Sequence, residues 1–194
     1  MSPQAAREGA VAIINAEQRW IRRSIASGLF AALLAGCAGT PPGSQAERVS
    51  ALPPIQHPAD NPYTAAKAAL GKQVLVDTRM SGSGKMACQS CHYRELGWTD
   101  AQPLSRKDNG DLNSRHTPSL YNVGYQTIWY WDGRAATLDA QILAAWRGQT
   151  GADPARVVAL LNEVPGYRNQ FEAVFGGAVT PGNVVQALAP YMRT

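Results

Sequence analysis

The chain is poor in the residues that build metal sites and disulfide frameworks: three cysteines and three histidines among 194 residues. Two of the cysteines sit close together and the third stands far upstream, which excludes a multi-disulfide scaffold. Charge is also sparse, at 16% of residues with a formal net of +4. Arg7, Arg19, Arg22 and Arg23 outnumber Glu8 and Glu17 in the first 36 residues and supply two of those charges. The remaining excess is too small to argue for nucleic acid or an anionic surface as a partner. The longest apolar run falls well short of the ~20 residues that a permanent membrane helix needs. No internal repeat is visible, and no strand-type alternation competes with helical periodicity. What is left is enough chain for one domain with its own core.

Against that scarcity, Cys88-Gln89-Ser90-Cys91-His92 concentrates two cysteines and a histidine in five residues. A C-x-x-C-H run reads as a c-type haem attachment site. The thiols of Cys88 and Cys91 add across the haem vinyl groups as thioethers. The two-residue spacer lets one helical turn present both sulfurs to one porphyrin edge. His92 then lies under the iron as its proximal ligand. Two other readings use the same residues, a thioredoxin-like redox pair and half a zinc site. The first lacks a βαβ pattern around it, and the second lacks another ligand pair.

Upstream, Arg22-Arg23 precedes an apolar run from Ile25 to Leu34, followed by Leu34-Ala35-Gly36-Cys37. A basic segment, a short apolar segment and small residues before a cut describe a secretory signal over 1–36. Leu-Ala-Gly-Cys looks like a bacterial lipobox, in which Cys37 is lipidated and becomes the new N-terminus; the alternative is an ordinary signal with an incidental cysteine. This places the protein in the periplasm, held to a bacterial membrane by a lipid anchor. Residues 37–62 are rich in proline and polar side chains and read as a tether, with His57 a solvated linker histidine.

The domain body, 63–194, reads as mostly α. Ala65 to Leu70 form a short helix that stops at Gly71. Ser81-Gly82-Ser83-Gly84 is a turn, and Arg94 to Asn113 is loop-like. Asp153-Pro154 supplies a cap with proline at the first helical position. Val157, Val158, Leu160 and Leu161 form its apolar face, and Pro165-Gly166 breaks it. Tyr167, Phe171, Val174 and Phe175 continue at helical spacing until Gly176-Gly177. Thr180-Pro181 starts the last helix, with Val184, Val185, Leu188 and Tyr191 facing inward. The expected fold is a cytochrome c-like set of helices around one covalently bound haem, joined by long loops.

Several segments in order then resemble one family, the bacterial di-haem cytochrome c peroxidases and their MauG-like relatives. They are Leu70-Gly71-Lys72 with Asp77 to Gly82, Cys88 to His92, Gly97-Trp98-Thr99-Asp100 and Arg115 to Asn122. Trp131-Asp132-Gly133-Arg134-Ala135, Pro165-Gly166-Tyr167, Phe171 with Phe175-Gly176, and Ala187 to Thr194 complete the series. The resemblance covers Leu70 to Thr194 and implies the first, peroxidatic haem domain. It implies haem-dependent reduction of hydrogen peroxide with electrons from a small periplasmic donor such as a cytochrome c or cupredoxin. The MauG-like branch instead stores oxidising equivalents and oxidises a partner protein.

The same resemblance exposes departures. The family continues into a second haem domain, whereas this chain stops at Thr194 with one C-x-x-C-H. It therefore implies a second haem domain in trans, an external haem protein, or one half of a split di-haem peroxidase. Gln141 matches a glutamine that lines the family's distal pocket, although a solvent-facing helix position would also explain it. Gln149 stands where the family has a carboxylate, and an amide cannot relay protons at neutral pH. His116 replaces an asparagine that binds calcium in some members, so calcium is not expected. His116 is a candidate distal iron ligand, with a structural loop role as the alternative. Met80 and Met86 match packing positions rather than axial ligands. Trp129 and Trp131 are either an electron relay or aromatic core around the porphyrin. Asp132 and Arg134 form an ion pair or touch a haem propionate. The leading expectation is a peroxidase-type oxidoreductase; the alternative is a non-enzymatic electron-transfer cytochrome c.

Overall fold

The computed structural model describes residues 51–194; the leader and Cys37 lie outside them. Five helices carry the domain: α1 (Ala65–Val76), α2 (Leu138–Gly148), α3 (Pro154–Asn162), α4 (Pro165–Phe175) and α5 (Pro181–Met192). Among the described residues there is no strand; isolated bridges pair Tyr93 with Thr99, Arg106 with Leu112 and Trp129 with Ala135. These bridges tie down the long loops between α1 and α2. The mostly helical fold with long loops is as expected.

The expected stop at Gly71 is wrong. Helix α1 runs through Gly71 to Val76, and the glycine serves packing instead. A Cβ built on Gly71 would lie 2.1 Å from the Ala187 carbonyl oxygen of α5. Only a residue without a side chain lets the two helices approach this closely. Leu70, Val74 and Leu75 of α1 and Val184, Ala187 and Leu188 of α5 are buried in one core with Leu138, Ile142 and Trp146 of α2.

Capping chemistry accounts for the other helices. Thr137 caps α2 by accepting from the Ala140 N–H, and Asp153 caps α3 by accepting from the Ala155 N–H. Thr180 and Asn183 cap α5 reciprocally, Thr180 Oγ1 accepting from Asn183 N–H while Asn183 Oδ1 accepts from Thr180 N–H. Pro165 does more than break α3: it opens α4 at the first helical position. Of the four residues expected on the apolar face of α3, Val157 and Leu161 are buried and Val158 is half-buried, while Leu160 is exposed. Tyr191 of α5 is half-buried and packs against the core.

The tether also ends earlier than expected, because the compact unit begins at Pro53 rather than 63. Pro190 lies inside α5 and has no N–H for the carbonyl four residues back. That carbonyl belongs to Gln186, and Asn61 Nδ2 donates to it at 3.2 Å. Asn61 is only 2% exposed, and its own oxygen accepts from Lys67 Nζ at 3.2 Å. Earlier in the segment, the Pro53 carbonyl accepts from Tyr125 Oη at 2.6 Å and Ile55 packs on Gly124. His57 is therefore not a solvated linker residue. Its Nδ1 is buried, its ring lies 5.2 Å from that of Tyr63, and burial together with the Arg193 charge lowers its pKa. Replacing Asn61 by alanine should leave a buried carbonyl unpartnered and cost about 1–3 kcal/mol. Thermal denaturation should register this as a fall of several degrees; an unchanged melting temperature would mean that Asn61 does not compensate for Pro190.

Candidate functional site: a cavity behind the C-x-x-C-H turn

Residues Cys88–Ser90 form a 3-10 turn rather than a full α-helical turn. The Cys91 N–H donates to the Cys88 carbonyl at 3.2 Å and the His92 N–H to the Gln89 carbonyl at 3.1 Å. Ser90 closes the turn by accepting from the Ala87 N–H at 3.0 Å. The result brings Cys88, Cys91 and His92 to the wall of one cavity. Burial raises both thiol pKa values, Cys88 to about 11, and the Asp100 charge adds to the effect on Cys91. A reactive dithiol needs the opposite shift, so these thiols do not suit a thioredoxin-like pair. Among the described residues there is also no group of three His, Cys, Asp or Glu side chains placed to hold a metal ion.

The orientation of His92 follows from its neighbours. Its Nδ1 lies 2.8 Å from the Trp98 carbonyl oxygen. A carbonyl can only accept, so Nδ1 carries the proton and Nε2 keeps its lone pair. Burial lowers the pKa of the ring, against smaller opposing effects of the Trp98 carbonyl and Asp100. A neutral imidazole with a free Nε2 is the form a metal takes. His116 lines the same cavity and is fixed in the same way: its Nδ1 donates to the Gln102 carbonyl at 2.6 Å. Its loop is pinned by a buried bond between the Ser105 and Thr117 hydroxyls and by Trp131 Nε1, which donates to the His116 carbonyl at 2.8 Å.

Helix α2 contributes Gln141, Ala145 and Gln149 to the cavity. A spacing of four residues puts all three on one helix face, so Gln141 does not point only to solvent. Gln149 ends α2 as its C-cap, and its Oε1 is buried with no hydrogen-bond partner. Its backbone is stitched in place, since Asp108 N–H donates to the Gln149 carbonyl at 2.9 Å. The Asp108 carboxylate in turn accepts from the Ser83 N–H at 2.8 Å, which holds the turn before the cysteines.

The loop after α1 supplies the remaining wall with Trp129, Tyr130, Trp131 and Arg134. Trp129 Nε1 is the second buried polar atom of the cavity without a partner. Asp132 pairs with Arg115 at 2.6 Å and with Arg134 at 2.8 Å, and the Arg134 guanidinium stacks 3.5 Å from the Tyr130 ring centre. Trp131 is exposed rather than core. Met80 is fully buried in the core, whereas Met86 and also Met192 line the cavity. Sequence reasoning missed Met192, although it follows Leu188 by one helical turn on α5.

These features converge on haem. The donor set is two unpaired thiols and one imidazole with its Nε2 free. The wall is largely apolar, with Leu75, Leu120, Val123 and Ile142. The orphaned Trp129 N–H and the cations Arg115 and Arg134 suit carboxylate groups such as propionates. The residues therefore fit a covalently held haem.

Comparison with known proteins points the same way. Residues 65–194 match the family described as di-haem cytochrome c peroxidase. The chain belongs to this family. It is 35% identical over 173 residues to the methylamine utilization protein MauG of Methylophilus methylotrophus, covering 88% of this chain and 51% of that protein. It is 38% identical over 146 residues to the cytochrome-c peroxidase IdrP1 of Pseudomonas sp. (strain SCT), covering 74% and 38%. Among solved structures it superposes on a MauG-like protein associated with microbial copper homeostasis with a TM-score of 0.70 and 29% identity, covering 73% and 44%. The chain thus spans about half, or less, of the length of these relatives. Family membership brings with it haem c as the cofactor class.

The Arg115 hydrogen bond, aided by Arg134, holds Asp132 down to about 2. Any stability from these pairs is present above the ordinary carboxylate range and fades as pH falls through that value. The Asp132 carboxyl carbon should still report a carboxylate at pH 3 by NMR; half-protonation near pH 4 would show that the two arginines do not hold it in solution.

Proposed function

We propose that this chain is an exported c-type haem domain that reduces hydrogen peroxide with electrons from a partner redox protein. The observation that carries the reading is the His92 geometry: Nδ1 is bound to the Trp98 carbonyl, and the same residue lines a cavity with both thiols. Cys88 and Cys91 would hold one haem c through thioethers, and His92 Nε2 would bind its iron. Trp129 Nε1, Arg115 and Arg134 would receive the propionates. When bound, haem c supplies the iron redox chemistry that cleaves the peroxide O–O bond. The chain's own part is to orient and shield. Gln141 and Gln149 offer amide groups to a small hydroxylic molecule in the cavity, and the unpartnered Gln149 Oε1 accepts a hydrogen bond from it. Neither amide takes up or releases a proton at neutral pH, so general acid–base assistance from these positions is missing.

The electron donor is a small cytochrome c or cupredoxin, acting directly or through a second haem domain. Export rests on the 1–36 leader, and lipidation of Cys37 would tether the domain to a membrane in the periplasm. A second reading, a simple electron-transfer cytochrome, is favoured by two features. Gln149 lacks proton-transfer capacity, and His116 presents a ring whose Nδ1 is already bound, so its Nε2 would be available to a metal ion.

Absorption and EPR spectra of the haem-loaded full chain separate the two. A high-spin ferric signal that changes on adding peroxide, with peroxide consumed when a reductant is supplied, supports peroxide reduction. A low-spin haem inert to peroxide establishes the electron-transfer reading instead. Introducing Gln149→Glu should raise peroxide turnover by about 10²–10⁴ if proton transfer is what the native cavity lacks; stopped-flow peroxide consumption with no gain would place the limiting step elsewhere.

A further inference from the structure

His92 does not hold its own orientation. The carbonyl that fixes it belongs to Trp98, a bulky residue in the left-handed region at φ 61°. Left to itself, a tryptophan avoids this conformation. Gly97 before it is also left-handed, at φ 71°. The peptide group joining Gly97 to Trp98 is clamped at both of its ends. Its N–H, on Trp98, donates to the Tyr93 carbonyl at 2.8 Å. Its carbonyl, on Gly97, accepts from Ser119 Oγ at 2.6 Å. Ser119 comes from a segment 22 residues further along the chain and lines the same cavity. Its hydroxyl also accepts from the Tyr121 N–H at 3.1 Å, so both its donor and an acceptor site are used.

Rotation of this one peptide group is the motion that changes φ at Trp98. Without the Ser119 bond only the Tyr93 bond opposes that rotation, and a turn of the group would let Trp98 relax from the left-handed region and draw its carbonyl away from His92. We propose that Ser119 is a positioning residue for His92, acting through the Gly97–Trp98 peptide to keep the Trp98 carbonyl on Nδ1. The inference rests on the reading that His92 binds the iron of a covalently held haem. The chemical consequence lies in the strength of the imidazole as a donor. An Nδ1–H bound to a carbonyl makes Nε2 the more basic ligand and favours the ferric state. Losing that bond weakens the donor and favours the ferrous state.

The test compares haem-loaded full chains carrying Ser119→Thr and Ser119→Val, which have similar volumes and differ in the hydroxyl. The readouts are the midpoint potential and the iron–imidazole stretching band of the ferrous form by resonance Raman. The valine chain should show an upward shift in potential and a downward shift of the band, while the threonine chain stays with the parent. Equal shifts in both variants, or a shift in neither, overturn the proposal. If the valine chain takes up no haem, Ser119→Ala supplies the same comparison. Failure of both to load haem, with threonine loading normally, overturns it in favour of a purely structural role. Failure of the haem reading is distinguishable: the unmutated chain would then acquire no covalent haem, or His92→Gly would leave its ferrous spectrum unchanged.

Discussion

The approach of α1 to α5 at Gly71 is the contact on which the rest of the domain is arranged. Two helices far apart in sequence meet backbone to backbone, because a glycine faces the Ala187 carbonyl. Leu75 and Leu188, from opposite sides of this contact, reach into the cavity. The thiol-bearing turn packs directly against α1. A domain that must enclose a large flat cofactor cannot fill its centre with side chains, so its stability has to come from contacts at the periphery. The close helix pair supplies such a contact and leaves the cavity free.

The functional side of the cavity is built differently, from loops held by specific hydrogen bonds rather than by packing. Trp98, Ala101, Asn122 and Tyr130 all adopt left-handed backbone conformations in the stretch between α1 and α2. Outside glycine and asparagine such residues cost on the order of 1–3 kcal/mol each and persist only where their surroundings over-determine them. Here the surroundings can be named for Trp98 (Tyr93 and Ser119 on one peptide group) and for Tyr130, whose ring is covered by Arg134. The loops therefore store strain at Trp98, which orients His92, and at Tyr130, which lines the cavity. Family likeness identifies the cofactor class; these bonds explain how a chain with so few ligating residues presents them in usable form.

Much of this was legible in the sequence where the chemistry is local. The Cys88–His92 spacing, the Asp153 and Thr180 caps and the αL glycine at Gly176 each act over a few residues. Where the decision belongs to a distant partner, sequence reasoning failed. A glycine after an alanine-rich helix reads equally as a stop or as a close approach, and only α5 decides between them. Helix α2 is marked in the sequence only by Thr137 and the four-residue spacing of Leu138, Ile142 and Trp146. The buried, unpartnered oxygen of Gln149 and the left-handed Trp98 leave no trace in composition or periodicity, because both are set by loops that meet only in three dimensions.

The misread tether carries a different kind of consequence. Proline-rich, polar text ordinarily marks chain that can be removed without harm. In this domain, however, a defect inside α5 at Pro190 is repaired from outside the helix by Asn61. The final helix and the segment before the first one therefore share a single hydrogen-bond account and belong to one cooperative folding unit. Substitutions at the two positions will be strongly non-additive. A chain in which residue 190 had an N–H would need Asn61 far less, and the segment could then drift towards the featureless linker that its composition suggests.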